Sequence, residues 1–285
     1  MDRERMAPLE SVMPPAKARS RIHLMAAKNA PVMVILQRKR AKPFHVITVS
    51  TDSHRINEGS WFRGVIYAID SDVSFDGKFM IYKARGANGD TWSGICHLPW
   101  LKTLVHIDTP ITGGGYFSGP LDLKTHGWDC RGKILASDIP FSITQDTKRH
   151  FGYELAVIYG RFERDGFMRL GDAWGQEKVF RTPNYHVVCT GDDGWGHCPA
   201  RGYPELQVRY LGFFNGAFKF IFTLDGHPKL LEDASWATWD SEKTLWVARR
   251  GIAEQYTLHD LRTGTPSFTL NVDQFEPAPK SDKEF

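Results

Sequence analysis

Apolar positions along this chain fall in short β-branched and aromatic runs rather than at helical spacing. The runs VMVILQ (32–37), FHVITVS (44–50), WFRGVIYAI (61–69), KFMIYKA (78–84), TLVHID (103–108), YELAVIYGRF (153–162), YHVVCT (185–190), LQVRYLGFF (206–214), AFKFIFTL (217–224) and KTLWVAR (243–249) are bounded by Gly, Asn, Asp or Pro. That punctuation is the signature of strands joined by turns. No stretch reads as a strong amphipathic helix. The pattern predicts an all-β protein, whose open sheet edges must be dealt with by sandwiching, closing into a barrel or repeating radially.

A repeat favours the radial solution. SDVSFDGKFMIYKARG (71–86) and SWATWDSEKTLWVARRG (235–251) both read strand, Asp turn, strand, Arg-Gly. Ser74-Phe75-Asp76-Gly77 aligns with Thr238-Trp239-Asp240-Ser241, and after the extra Glu242 the run Lys78–Ile81 aligns with Lys243–Trp246. Asp-Gly supplies the positive φ of a tight hairpin, and an Asp side chain bonds to backbone N–H groups two residues on. The two aspartates stand 164 positions apart (240 minus 76), which divides into four units of about 41, a usual blade spacing. FFNGAFKFIF, around Asn215-Gly216, repeats the grammar of the hairpin.

DVSFDGKFMIYKA with GICHLPWLKTLVHID, and SWATWDSEKTLWVARRGIAEQYTLHDL, resemble blades of WD40-like and TolB-like β-propellers, with Phe75 and Trp239 where those hairpins usually carry proline. The body from 22 to 279 is also similar to a bacterial family of stand-alone propeller-like proteins, a resemblance that implies no activity. The expected fold is one all-β propeller of about five blades, in a range of four to six, over residues 21–279, its N-terminal strands beside the C-terminal blade. A β-sandwich is the alternative. Residues 1–20 and 280–285 read as polar, Pro-containing or charged tails.

Composition narrows the function classes. Aromatic residues at 13%, with 26 Gly and 16 Pro, suit many short strands. A net charge of +3 from 36 basic and 33 acidic residues is too small to demand a nucleic acid. Cys96, Cys130, Cys189 and Cys198 form no C-x-x-C pair, so reduced thiols and a cytoplasmic location are expected. The N-terminus has no apolar signal core, and APVMVILQ is too short to span a bilayer.

Candidate chemistry concentrates in HVVCTGDDGWGHCPARGYPEL (186–206). His186, Cys189, Asp192, Asp193, His197 and Cys198 bring metal-ligating types together there. The nine-position gap from Cys189 to Cys198 and the adjacency of His197 to Cys198 argue against one zinc tetrahedron. Asp192 and Asp193 could serve a glycosidase-like hydrolase only with carboxyls held at a defined separation across a substrate. TGGGYFSG (112–119) lacks the Gly-Lys-Ser/Thr end of a phosphate loop and reads as a strand start where glycine lets backbones approach. No nucleophile-elbow, zinc-helix or dinucleotide motif occurs, so neither metal nor cofactor is expected.

Trp61, Trp236, Trp239 and Trp246 are expected in the core. Trp195 and Trp128, in Gly- and Asp-flanked segments, are candidate anchors for a partner, together with Asp192, Asp193 and His197. Arg38, Lys39, Arg40 and Lys42 form the densest basic run, a possible anion contact. The expected function is a non-enzymatic protein–protein interaction module, monomeric outside its complex and an accessory subunit of a multi-gene bacterial system. The alternative is a hydrolase with acidic residues at the propeller centre.

Overall fold

The computed structural model describes residues 20–39, 43–109, 113–127, 133–134, 139–146, 155–170, 177–182, 185–190, 194–214, 217–227 and 229–277. Among the described residues strands far outnumber helices and form several mainly antiparallel sheets, none of them closed into a barrel or propeller. The all-β expectation therefore stands.

The first sheet is a meander of β1 (Arg21–Ala26), β2 (Val32–Arg38), β3 (Pro43–Ser50) and β4 (Ile56–Arg63). The second is β5 (Val65–Val73), β6 (Phe79–Arg85), β7 (Thr91–His97) and β8 (Thr103–Asp108). β9 (Gly115–Gly119) and β10 (Asp122–Thr125) begin a third, β11 (Lys133–Ile134) returns to the edge of the second beside β8, and β12 (Ser142–Gln145) completes the third by pairing in parallel with β10.

After helix α1 (Ala156–Arg164) come β13 (Met168–Leu170), a separate β14 (Glu177–Thr182) and β15 (Tyr185–Thr190) hairpin, β16 (Gly194–His197), β17 (Leu206–Phe214) and β18 (Ala217–Leu224). Strands β13, β16, β17 and β18 form one sheet. The last sheet is β19 (Trp236–Trp239), β20 (Leu245–Arg249), β21 (Ile252–Tyr256) and, beyond the short helix α2 (Leu258–Thr263), β22 (Phe268–Asn271).

Successive side chains of a strand point to opposite faces, and here both faces are used. Val34 and Leu36 of β2 pack with Met80, Tyr82 and Cys96 of the second sheet. Met33 and Ile35, one residue out of phase, join the largest core with Val208 and Phe222 of β17 and β18, Trp246 and Val247 of β20, and Ile158 and Phe162 of α1. A third core, with Ile81, Ile95, Phe117 and Leu123, lies between the second and third sheets. Burial on both faces explains why VMVILQ is continuously apolar instead of alternating.

Two expected strands differ. WFRGVIYAI is broken at Gly64, where a Cβ would stand 2.4 Å from the Arg85 carbonyl oxygen, so it supplies the end of β4 and the start of β5. YELAVIYGRF is not a strand, because its residues 156–162 form most of α1 and all are buried. An apolar run buried on every side carries no helical periodicity to read. Gly160 marks the packing, since a Cβ there would meet the Tyr116 ring of β9 at 2.3 Å. TGGGYFSG behaves as expected: Gly114, at φ 81°, comes so close to the Asp70 carbonyl oxygen that a Cβ would stand 2.0 Å from it.

Candidate functional site

The centre of the molecule is ionic. Asp72, at the end of β5, is fully buried, and its Oδ2 accepts the Phe117 N–H of β9 at 2.8 Å and a hydrogen bond from Arg164 Nη1. Arg161 Nε lies 3.4 Å from Asp72 Oδ1, and Arg161 Nη1 donates to the Ser71 carbonyl at 2.9 Å. Residues three apart on a helix share a face, which is how α1 aims both arginines at one carboxylate. Arg164 Nε then donates to Asp165 Oδ1 at 2.7 Å, and Lys28, on the β1–β2 turn, meets the same oxygen at 3.0 Å. The cluster ties α1 to three sheets.

Its protonation states are set by neighbours. Burial opposes the charge on Asp165, but Arg164 and Lys28 outweigh it and hold the carboxyl below its ordinary range. Burial likewise opposes the charge on Arg164, and Asp165 and Asp72 more than restore it. His23 of β1, beside Arg161 Nη1 at 3.5 Å and against the Trp236 ring at 4.0 Å, is driven well below an ordinary histidine by burial and then by Arg161. A general acid needs a carboxyl raised toward working pH. Asp165 is shifted the other way, and Asp72 is held between two guanidinium groups.

Of the expected partner-binding residues, Trp195 is placed differently from the sequence reading. Trp195 is only 2% exposed and sits on β16 opposite Val208, with its ring 5.3 Å from Tyr159 and 5.7 Å from Phe162. An exposed anchor at Trp195 is thus corrected to a core residue: the flanking Gly194 and Gly196 are strand positions, and the indole points inward between them. His197 is half-buried, with Nδ1 3.0 Å from the Gly166 carbonyl oxygen, and burial lowers its pKa. Cys198, exposed, donates to the carbonyls of Ala200 and Tyr203. Trp128, Asp192, Asp193, Arg40 and Lys42 lie outside the described residues. Trp236, Trp239 and Trp246 are buried as expected, while Trp61 is half-buried.

Of the basic run, Lys39 pairs with Glu276 at 2.6 Å and lies 5.6 Å above the Trp61 ring. Beneath it, His45 is wholly buried, stacked on Trp61 at 4.0 Å, edge-on to Phe275 at 5.8 Å, and 3.4 Å from Gln37 Oε1. Gln37 Nε2 donates to Ser20 Oγ at 3.0 Å and to the Val272 carbonyl at 2.9 Å, and Ser20 N–H donates to Asp273. Both ends of the described chain are thereby clasped to the first sheet. Burial, with a smaller push from Lys39, brings His45 down to about 4.

One large aromatic was missed by sequence reasoning. Trp100, on the β7–β8 turn, is 57% exposed. Its turn is held on both sides: Leu98 N–H donates to the Lys78 carbonyl at 2.8 Å, Ser60 N–H to the Pro99 carbonyl at 3.2 Å, and Leu101 N–H to Ser60 Oγ at 2.9 Å. Gly59 permits this approach, since a Cβ there would stand 2.0 Å from the Pro99 carbonyl oxygen. Leu98 and Leu101 are drawn into the core between the first two sheets, and Trp100 is left outside. The signal was available in HLPWLK, where a Trp falls between two leucines of a short turn.

Among the described residues no group of three or more His, Cys, Asp or Glu is placed to hold a metal ion, and no helix is long and apolar enough to cross a membrane. No family model, curated protein or solved structure matches this chain.

Proposed function

We propose that this chain is a non-enzymatic protein-interaction module of the cytoplasm, an accessory subunit in a bacterial system, that docks its partner on Trp100. The observation that carries the reading is an indole more than half exposed on a turn pinned by two backbone–backbone hydrogen bonds and one from its backbone to the Ser60 hydroxyl. A rigid aromatic on a supported turn loses little conformational freedom on docking, and such residues carry much of the binding energy at interfaces.

The scaffold is a propeller-like array of about five blade-like sheets. Supporting this finer reading, β1 packs on β5, β5 on β9, β18 on β19, and β1 again on β19, so that the first three sheets neighbour one another in order, the fourth neighbours the last, and the last lies beside the first. Helix α1 sits against β5 and β9. A hydrolase would need a carboxyl raised toward working pH, whereas Asp165, facing Arg164 and Lys28, is held below its ordinary range despite its burial.

Affinity purification of the wild-type chain and of Trp100→Ala from the expressing cells, followed by mass spectrometry, tests the proposal. A partner retained by the wild type and lost by the variant is expected, with melting temperature unchanged and binding weakened by more than about 1 kcal/mol. Equal retention of every partner by the two proteins would remove Trp100 from the interface.

A further inference from the structure

Arg21 and Arg38 are directly opposite each other at the open end of the β1–β2 ladder. Directly opposed residues of an antiparallel pair project from the same face with Cβ atoms about 5 Å apart, and like charges in that position repel. Arg21 is exposed and Arg38 half-buried, its guanidinium 5.7 Å from the centre of the Phe44 ring. Among the described residues neither arginine forms an ion pair. Two described carboxylates near this end of the sheet are engaged elsewhere: Asp273 accepts the Ser20 N–H, and Glu276 holds Lys39. A sheet end that keeps two cations in register with no anion among the described residues is suited to receive one from outside.

We propose that the Arg21–Arg38 pair is an oxyanion-binding site that takes a carboxylate side chain from an acidic segment of the partner protein. The guanidinium fork matches a carboxylate geometrically, and two forks in register on one face can grip a single group from both sides. Phosphates of a single-stranded nucleic acid share the charge, but such binding draws on stacked bases. The ring beside the pair, Phe44, is buried beneath the Arg38 guanidinium, and Trp61 already has His45 on it at 4.0 Å and Lys39 over it, so neither offers a free face to a base. The inference rests on the interaction-module reading, and it places a second contact on that module, in a different turn region from Trp100.

Titration with a hexaglutamate peptide at low salt, beside a six-nucleotide oligo-dT, tests it without needing the partner. Saturable peptide binding is expected, weakened at least tenfold by Arg21→Gln and by Arg38→Gln and suppressed by salt. Arg21→Gln should melt no lower than the wild type, because it relieves a repulsion. Absence of saturable peptide binding, binding by either variant as tight as by the wild type, or tighter binding of oligo-dT would each overturn the proposal. Trp100→Ala should bind the peptide normally, so a failed partner capture and a failed arginine site give different results.

Discussion

Ser74 and Asp240 occupy the same place in the first hairpins of two sheets. Each follows the last ladder residue of its strand, Val73 or Trp239. Each accepts, through its side-chain oxygen, the N–H that opens the next strand: Phe79 N–H to Ser74 Oγ at 2.9 Å, and Thr244 N–H to Asp240 Oδ1 at 2.8 Å. The residues three further on, Gly77 and Lys243, both have positive φ and return an N–H to the Ser74 and Asp240 carbonyls. The repeat is thus real as a turn, but Asp76 is not the counterpart of Asp240. Asp76 instead accepts from Ser74 Oγ at 2.6 Å and from Lys78 N–H at 3.1 Å.

Asp240 carries more than its turn. Its Oδ2 accepts the Thr244 hydroxyl and the buried Trp246 indole N–H at 2.9 Å, and Thr244 Oγ1 in turn accepts from Gln255, which bonds His54 and the Thr51 carbonyl of the first sheet. Asp240→Ala leaves buried donors unsatisfied and is expected to lower stability by about 2–3 kcal/mol, against about 1 kcal/mol for Ser74→Ala. Urea melts of the two variants check the order. A larger loss for Ser74→Ala would refute it.

The Asp72 cluster is expected to be costly to break from one side. Asp72→Ala strands Arg161 and Arg164 without a shared carboxylate, and removal of one partner of a buried pair costs about 3–5 kcal/mol. Replacing all three by apolar residues of similar volume should recover part of that loss. Equilibrium denaturation of the single and triple variants measures the difference; a triple variant less stable than Asp72→Ala would show that the charges themselves hold α1 in place.

Acid weakens the clasp at His45. Its ordinary pKa of 6.5 falls to about 4 in the fold, so the folded state prefers the neutral ring. The resulting stability is present in full above 6.5 and is lost as pH falls toward 4. The maximum from this residue is ~3 kcal/mol, at 1.36 kcal/mol per pH unit of displacement. A hydrogen bond to the Gly59 backbone favours the charged ring, while Lys39 opposes it; Glu58 stands 3.9 Å from Nε2. His23 and His197, also lowered by burial, act in the same sense. His45→Phe should flatten the dependence of stability on pH between 6.5 and 4, read from melts across that window; an unchanged slope would assign it to the other two histidines.

The strands were legible because their apolar runs and turn residues agree, and both halves of β2 and β3 could be read from composition alone. The hairpin repeat was legible only on its second strand. Lys78–Ile81 and Lys243–Trp246 do correspond in the ladders, but six residues separate Val73 from Met80 and five separate Trp239 from Leu245, so alignment on the aspartates slips the first strand by two. α1 escaped because no polar face breaks its apolar run, although Arg161 and Arg164 at a three-residue interval were a helical sign. Trp195 was misplaced because glycine on either side suits a loop as well as a strand whose outward positions are bare. The ionic centre joins residues 28, 72, 117, 161 and 164, and no local pattern reports such separations.

The clasp among Ser20, Gln37, Val272 and Asp273 also fixes an order of events during synthesis. Ser20 and Asp273 are separated by 253 positions, and Gln37 and Val272 by 235. The first sheet precedes its partners in the chain, and the Ile47 and Val49 side joins a core whose other members come from α1, β16 to β18 and the last sheet, so its cover is complete only when the last of these has been made. Throughout that interval a nascent chain carries an apolar sheet face in water, open to a chaperone or to another nascent copy. The time taken to add residues 64–272, which separate the first sheet from its last partners, therefore sets how long the growing chain is vulnerable to misassembly.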